Sequence, residues 1–256
     1  MRDDKQKIPV SVFVITQDEE QNIGRLLDSV QDFAEIVIVD SGSQDDTLNI
    51  AQQYDVSIFF QPWLGYAAQK QCALDKCSQE WVLNLDADEV VTDEMRDVIC
   101  DIIQRDDVDA VRFNRNDRFI DQMPNGSIKK PNNVRLYRRC QAAFDMEQQV
   151  HESALVQGKE IHVSASFDHY GYDDIATLVN KMNTYSCLKA QDKKRRGKRG
   201  SLLKLLFIFP IEFLRKYLLQ RLFTFGRRGF ILAVLNAHYA FMKEAKLIEL
   251  QLRRGK

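Results

Sequence analysis

The side chains best placed for chemistry in this chain are carboxylates that end apolar runs. Trp81–Asp86 (WVLNLD) leads into Asp86-Ala87-Asp88-Glu89. Two aspartates one residue apart, at the end of a buried strand, can aim oxygens at one cation. Mg²⁺ or Mn²⁺ takes oxygen ligands and shares them with substrate phosphates. Such an ion offsets the charge that grows on a departing diphosphate. The same tetrapeptide also reads as an acid-rich entry to a helix starting at Thr92. Asp40-Ser41-Gly42-Ser43, at the end of residues 35–40 (EIVIVD), has two readings of its own. The aspartate caps a glycine turn, or it hydrogen-bonds a ribose or base from a strand end. Further along, Arg135, Arg138 and Arg139 surround Leu136 and Tyr137. Strand alternation sets Arg135 and Tyr137 on one face, where Arg135 can grip a phosphate with two N–H groups. Arg138 and Arg139 read equally well as solvated strand charges.

These residues need a frame that brings them together. Residues 10–16 (VSVFVIT) form a short β-branched run, as a buried strand requires. Ile23, Leu26, Leu27 and Val30 recur at helical spacing. EIVIVD is a second strand, and Asp45 or Asp46 caps the helix bearing Leu48, Ile50 and Ala51. The pattern predicts a third strand over 56–60, a helix over 66–77 and a fourth strand at WVLNLD. A helix over 92–105 and a fifth strand over 110–114 follow. Strands alternating with helices give a mainly parallel sheet covered on both faces. Ligands bind beyond the carboxyl ends of such strands. Residues 16–20, Asp40 and Asp86 all fall there, so three distant segments form one site. After Arg115 the pattern weakens. A polar loop (121–133) is followed by short strands at 134–137, 153–156 and 161–163. Helix is expected over 175–190, then a basic break at 193–200, then helix from 202 to about 251.

The composition, 45% hydrophobic and 29% charged, supports a sizeable core and excludes general disorder. The net charge of −1 hides a split. Residues 1–192 hold 19 basic and 34 acidic side chains, and residues 193–256 hold 17 and 3. An acidic body followed by a basic, apolar region suits an anionic partner, either membrane or nucleic acid. The five cysteines form no Cys-x-x-Cys pair and read as reduced thiols. No apolar run approaches the ~18 residues of a membrane span, and the N-terminus leads into a strand rather than a signal core.

Four segments, VFVITQDEEQNI, IVIVDSGSQDDT, GYAAQKQCAL and WVLNLDADE, resemble glycosyltransferase family 2, with its GT-A fold, in order and spacing across residues 9–90. NNVRLYRR, QVHE, DHYGY and the segment around FGRRGF extend the likeness to the bacterial lipopolysaccharide-core members of that family. The resemblance implies inverting transfer of a sugar from a nucleotide diphosphate sugar, a UDP-hexose by family analogy. The acceptor it implies is a lipid-linked saccharide such as the lipopolysaccharide inner core. By that analogy Thr16, Glu19 and Asp40 line the nucleotide pocket, and Gln69 and Lys70 face the nucleotide and diphosphate. Asp86 and Asp88 become the family's Asp-x-Asp, with Asp88 the direct ligand of Mg²⁺ or Mn²⁺. Two departures stand out. Asp18 replaces the asparagine of the usual Asn-Glu-Glu, and Lys70-Gln71 stands where Arg-Asn is common. Asp18 substitutes if that position caps the loop; it alters donor choice if the amide donated to the nucleotide.

An inverting transfer needs a base to deprotonate the acceptor hydroxyl. In Val150-His151-Glu152, which resembles the His-Glu of the lipopolysaccharide subgroup, Glu152 is the candidate base. His151 positions it or contacts phosphate, and Asp145 and Glu147 are the rivals. Arg135, Tyr137 and His169 are candidate acceptor or phosphate contacts, and residues 168–172 (DHYGY) a wall of the pocket. His162 reads as structural or acceptor-contacting.

Residues 193–228 carry twelve Lys and Arg against the single acid Glu212, interleaved with blocks of Leu and Phe. Such a stretch lies in a lipid interface with cations at anionic headgroups. Packing on the domain or across a homodimer is the alternative, notably over 231–250. The continuous apolar blocks argue against nucleic acid. The expected organisation is a GT-A catalytic domain over 1–170, then a basic amphipathic helical region over 171–256. Within the first, 9–115 bind the nucleotide sugar and 116–170 form the acceptor side. The chain is expected to attach peripherally to the cytoplasmic face of the inner membrane. Two rival functions are a non-catalytic nucleotide-sugar-binding membrane adaptor and a nucleotidyltransferase. The latter calls for a Gly-rich basic phosphate loop where this chain has Thr16-Gln17-Asp18-Glu19-Glu20.

Overall fold

The computed structural model describes residues 7–145, 154–171 and 174–253. The chain divides into two compact units. One comprises residues 1–116 and 131–170, the other 117–130 and 171–256.

The first unit is built on β1 (Ile8–Thr16), β2 (Phe33–Asp40), β3 (Ser57–Phe60) and β4 (Trp81–Asp86), which run parallel in the order β3-β2-β1-β4. Alternation along these strands sends side chains to two cores. Val10, Val12 and Val14 pack with Ile23, Leu26, Leu27 and Val30 of α1 (Ile23–Val30) and with Met95 and Ile99 of α4 (Asp93–Ile102). Phe13, Val37 and Val39 pack on the other face with Ala67, Ala73 and Leu74 of α3 (Tyr66–Lys76). The small α2 (Thr47–Ala51) joins the first core through Ala51. The α/β class with helices on both faces therefore follows from a period of two in strands whose both faces are apolar.

The sheet continues on the β4 side as β7 (Asn132–Arg138), β6 (Ala110–Asp117), β10 (Glu160–His169) and β5 (Glu89–Val90). Here β7 is antiparallel to both β4 and β6, and β10 is antiparallel to β5. The expected strand at 161–163 is thus ten residues long, and the two-residue β5 was not expected. A second small ladder joins β8 (Ala142–Ala143) to β9 (Leu155–Val156).

The second unit contains α5 (Ile175–Arg195), α6 (Leu202–Leu214), a π-helical turn at Arg215–Leu219, a 3-10 turn at Leu222–Phe225 and α7 (Gly226–Leu252). The helix expected from 202 to about 251 is broken, because Arg221 and Gly226 take the positive φ values of 59° and 58°. The chain reverses so tightly that a Cβ on Gly229 would lie 1.8 Å from the Leu222 carbonyl oxygen. Its core joins Phe119 and Ile128 to Leu178, Met182, Leu222, Phe225 and Ala233. Among the described residues no helix is long and apolar enough to cross a membrane.

Candidate active site

The register of three adjacent strands assembles the site. Thr16 lies opposite Asp40 across β1 and β2, and Ile15 opposite Asp86 across β1 and β4. With strands ~4.8 Å apart, the carboxyl ends of all three fall on one edge of the sheet.

Asp40 is buried, and the chain itself fills both of its oxygens. Oδ1 accepts from Thr16 Oγ1 at 3.1 Å and from Ser43 Oγ at 2.5 Å. Oδ2 accepts from the N–H groups of Gly42 and Ser43 at 2.7 and 2.9 Å. Asp40 thus shapes the 41–43 turn. Gln69 donates from Nε2 to Ser41 Oγ and to the Gln61 carbonyl, tying α3 to this turn. Its Oε1 is buried without a hydrogen-bond partner.

The acidic loop after β1 is cross-braced to the loop after β2. The N–H groups of Asp18, Glu19 and Glu20 donate to Ser43 Oγ, Thr47 Oγ1 and Asp45 Oδ2. In return, Gln44 N–H donates to Asp18 Oδ1 at 2.8 Å and Asp46 N–H to Glu20 Oε2. Asp18 sits at φ 55°, a conformation that Asn and Asp tolerate better than most residues. Its side chain accepts from a backbone N–H, which a carboxylate does as well as an amide. The Glu19 carboxylate accepts from Asn22 Nδ2 at 2.9 Å, at the entry to α1.

Asp86 and Asp88 have different surroundings. Lys70 Nζ donates to Asp86 Oδ1 at 2.8 Å, and Arg135 Nη2 donates to Oδ2 at 2.9 Å. Arg135 also bonds Glu89, which is fully buried and whose other oxygen accepts from the Asp86 N–H at 3.2 Å. Enclosure by protein would raise the Asp86 pKa. Lys70 and Arg135 outweigh it and hold the carboxyl well below the usual carboxylate range. Burial pushes Glu89 up to about 7, against the pull of Arg135. Arg135 therefore faces two carboxylates, and its own pKa is raised because Glu89 and Asp86 outweigh its burial. Tyr137 is fully buried in the second core, with Phe13, Val82 and Phe144, and meets no solute there.

Asp88 meets His169 instead, with Oδ2 3.3 Å from Nε2. Backbone pairing delivers the histidine: His169 lies opposite Glu89 in the β10–β5 ladder, and Tyr170 N–H donates to the Asp88 carbonyl at 2.9 Å. The Tyr170 ring lies 4.1 Å from the Arg25 guanidinium carbon of α1, which anchors the end of β10. Glu89 is legible in the sequence only as the acid that follows Asp-x-Asp, and Arg25 and this pairing carry no mark of their own. His162 bonds Asn114 through Nε2. His151, Glu152 and Glu147 lie outside the described residues.

One carboxylate oxygen and one imidazole nitrogen converging at a strand end suit a divalent cation that draws its other ligands from phosphate and water. No cluster of three or more acidic, His or Cys side chains forms a metal centre among the described residues.

Comparison with known proteins identifies the fold and the family. The structure of S. aureus TarS (residues 1–349) in complex with UDP-GlcNAc superposes with a TM-score of 0.54 at 16% identity, covering 97% of this chain and 93% of that one. The fold is that of a GT-A glycosyltransferase. The sequence model of glycosyl transferase family 2 matches residues 11–155. The lipopolysaccharide core biosynthesis glycosyltransferase LpsC of Rhizobium meliloti is 36% identical over 251 residues, 95% of this chain and 93% of the relative. An uncharacterized glycosyltransferase of Rickettsia typhi is 34% identical over 259 residues, 95% and 88% of the two chains. The chain belongs to glycosyl transferase family 2 and is a glycosyltransferase.

Proposed function

We propose that this enzyme transfers a hexose, with inversion, from a UDP-sugar to a saccharide of the lipopolysaccharide inner core. The similarity to LpsC over nearly the full length of both chains supports the acceptor class. We further place the chain peripherally on the cytoplasmic face of the inner membrane, where its lipid-linked acceptor would be presented. The observation that carries the donor side is the convergence of Thr16, Asp40 and Asp86 at one sheet edge, with His169 brought to Asp88.

The nucleotide lies against the turn that Asp40 shapes and the braced 16–20 loop. Asp88 and His169 hold Mg²⁺ or Mn²⁺, and Lys70 and Arg135 keep Asp86 ionised and in place. When bound, the cation neutralises charge on the diphosphate. Glu152, assigned on sequence, takes the proton of the acceptor hydroxyl. That oxygen then forms its bond to the anomeric carbon from the side opposite the diphosphate, whose bond to carbon breaks as UDP departs.

Two experiments test this reading. Mass spectrometry of the lipopolysaccharide core after deletion of the gene should show one hexose missing, restored by the parent sequence. In vitro, Glu152→Gln should lower transfer by roughly 100-fold or more while UDP binding is kept. An unchanged core mass would overturn the acceptor assignment, and normal transfer by Glu152→Gln would overturn the base.

A further inference from the structure

We propose that the outward face of α6 is a lipid-inserting surface, lying in the plane of an anionic bilayer with its cations at the headgroups. This deepens the peripheral attachment proposed above by naming the surface, and it does not depend on the donor chemistry.

The inference starts from a helix that is apolar on both sides. Leu205 of α6 lines an apolar groove with Ala245, Ile248 and Leu252 of α7, so one side of α6 faces its neighbour. The other side carries Leu202, Leu203, Leu206, Phe207, Ile211 and Leu214, each more than half exposed. None of the thirteen residues of α6 is buried. A contiguous exposed apolar patch of this kind marks an interaction surface.

The charges identify what covers it. Lys198 and Arg199 precede α6, and Arg221 and Arg227 follow the π-helical turn. All four are exposed and form no ion pair among the described residues. The one acid of α6, Glu212, is held by Arg215 at 2.6 Å. The patch is therefore bounded by positive charge at both ends. A second copy docked face to face about a twofold axis would bring these same cations together, whereas an anionic headgroup layer pairs them. Thirteen residues span about 20 Å as a helix, short of the roughly 30 Å hydrocarbon core. The helix therefore lies along the surface, with its apolar side among the acyl chains.

The test uses the full chain and vesicles of phosphatidylcholine, alone or mixed equally with phosphatidylglycerol. Sedimentation should show binding to the mixed vesicles and little to the neutral ones. Leu206→Glu with Phe207→Glu should lower the partition coefficient at least tenfold, and so should Lys198→Glu with Arg199→Glu, each pair changing two contacts of the order expected for such surfaces. Phe207→Trp should shift its emission to the blue on mixed vesicles and be quenched by brominated acyl chains. Circular dichroism checks that each variant keeps its helices. Calorimetric binding of UDP should be unchanged in all of them, so that failure here is distinguishable from failure of the donor site. Parental binding by folded charge-reversed or outward-face variants would overturn the proposal. So would a parent dimer that Leu206→Glu with Phe207→Glu dissociates while vesicle binding persists.

Discussion

Lys70 and Arg135 each hold one oxygen of Asp86, while Asp88 lies beside His169. In the proposed mechanism this separates two tasks that the motif alone leaves merged: one aspartate ties the strand end to Lys70 and Arg135, and the other would hold the cation with the histidine. In that mechanism Asp88 and His169 would share the cation with the diphosphate, so it should bind weakly to the enzyme alone and tightly once UDP is present. Titration of Mn²⁺ by electron paramagnetic resonance should show this dependence on UDP. His169→Ala should weaken the UDP-linked Mn²⁺ affinity by at least the roughly 10-fold that loss of a mere outer-shell partner costs. Asp88→Asn should lower transfer roughly 100-fold or more. Arg135→Lys should act differently, leaving Glu89 and Asp86 poorly bridged and lowering thermal stability as well as activity. A wild-type metal affinity in His169→Ala would remove the histidine from the site. Asp18 gives a second case. Because Oδ1 accepts from the Gln44 N–H, Asp18→Asn should leave the melting temperature and UDP affinity unchanged. Asp18→Ala should cost about 1 kcal/mol of stability, readable in denaturant unfolding.

At the scale of elements, the sharpest prediction concerns the reversal between α6 and α7. A Cβ at Gly229 would meet a backbone carbonyl oxygen that has no rotamer to change. Gly229→Ala should therefore destabilise the helical unit by about 1–3 kcal/mol or more, while Gly126→Ala, with nothing within 4 Å, should be neutral in the same melting experiment. This reversal also shows where sequence reading stops. Residues 202–251 are apolar on both sides of the break, so periodicity carries no mark of it; only Gly226 and Gly229 hint at a turn or close contact. In β1, β2, β4 and α1, by contrast, each apolar position has one structural meaning, and the observed elements follow the residue pattern closely. The antiparallel half of the sheet was harder to read. The pairing of β10 with β5 sets Asp168 opposite Val90 and His169 opposite Glu89, about 80 positions apart in the chain, and nothing local to either segment encodes that partner. The approach of His169 to Asp88 depends on that pairing, so no local pattern marks it.

Across the whole molecule, residues 117–130 belong with the C-terminal helices although 40 residues of the sheet unit, 131–170, separate them in sequence. Phe119 is fully buried and Ile128 nearly so, both in the core formed with Leu178, Met182, Leu222 and Phe225. The loop supplies further ties: Arg228 donates to the Ile120 carbonyl at 2.9 Å, and Asn125 donates to the Thr224 carbonyl at 2.9 Å. A chain cut after Tyr170 would keep the whole sheet but strip this loop of its partners. Leaving two large apolar side chains in water costs about 1.5–3 kcal/mol each and presents a sticky surface. The truncated chain should therefore bind a hydrophobic dye such as ANS and aggregate in sedimentation velocity. Replacing residues 118–130 by a short Gly-Ser linker in the same truncation should restore a dispersed species. If the simple truncation is instead monomeric and dye-silent, the loop does not need its helical partners, and the division into units lies elsewhere. The comparison separates this from a general demand for the C-terminal helices, because the linker variant lacks them as well.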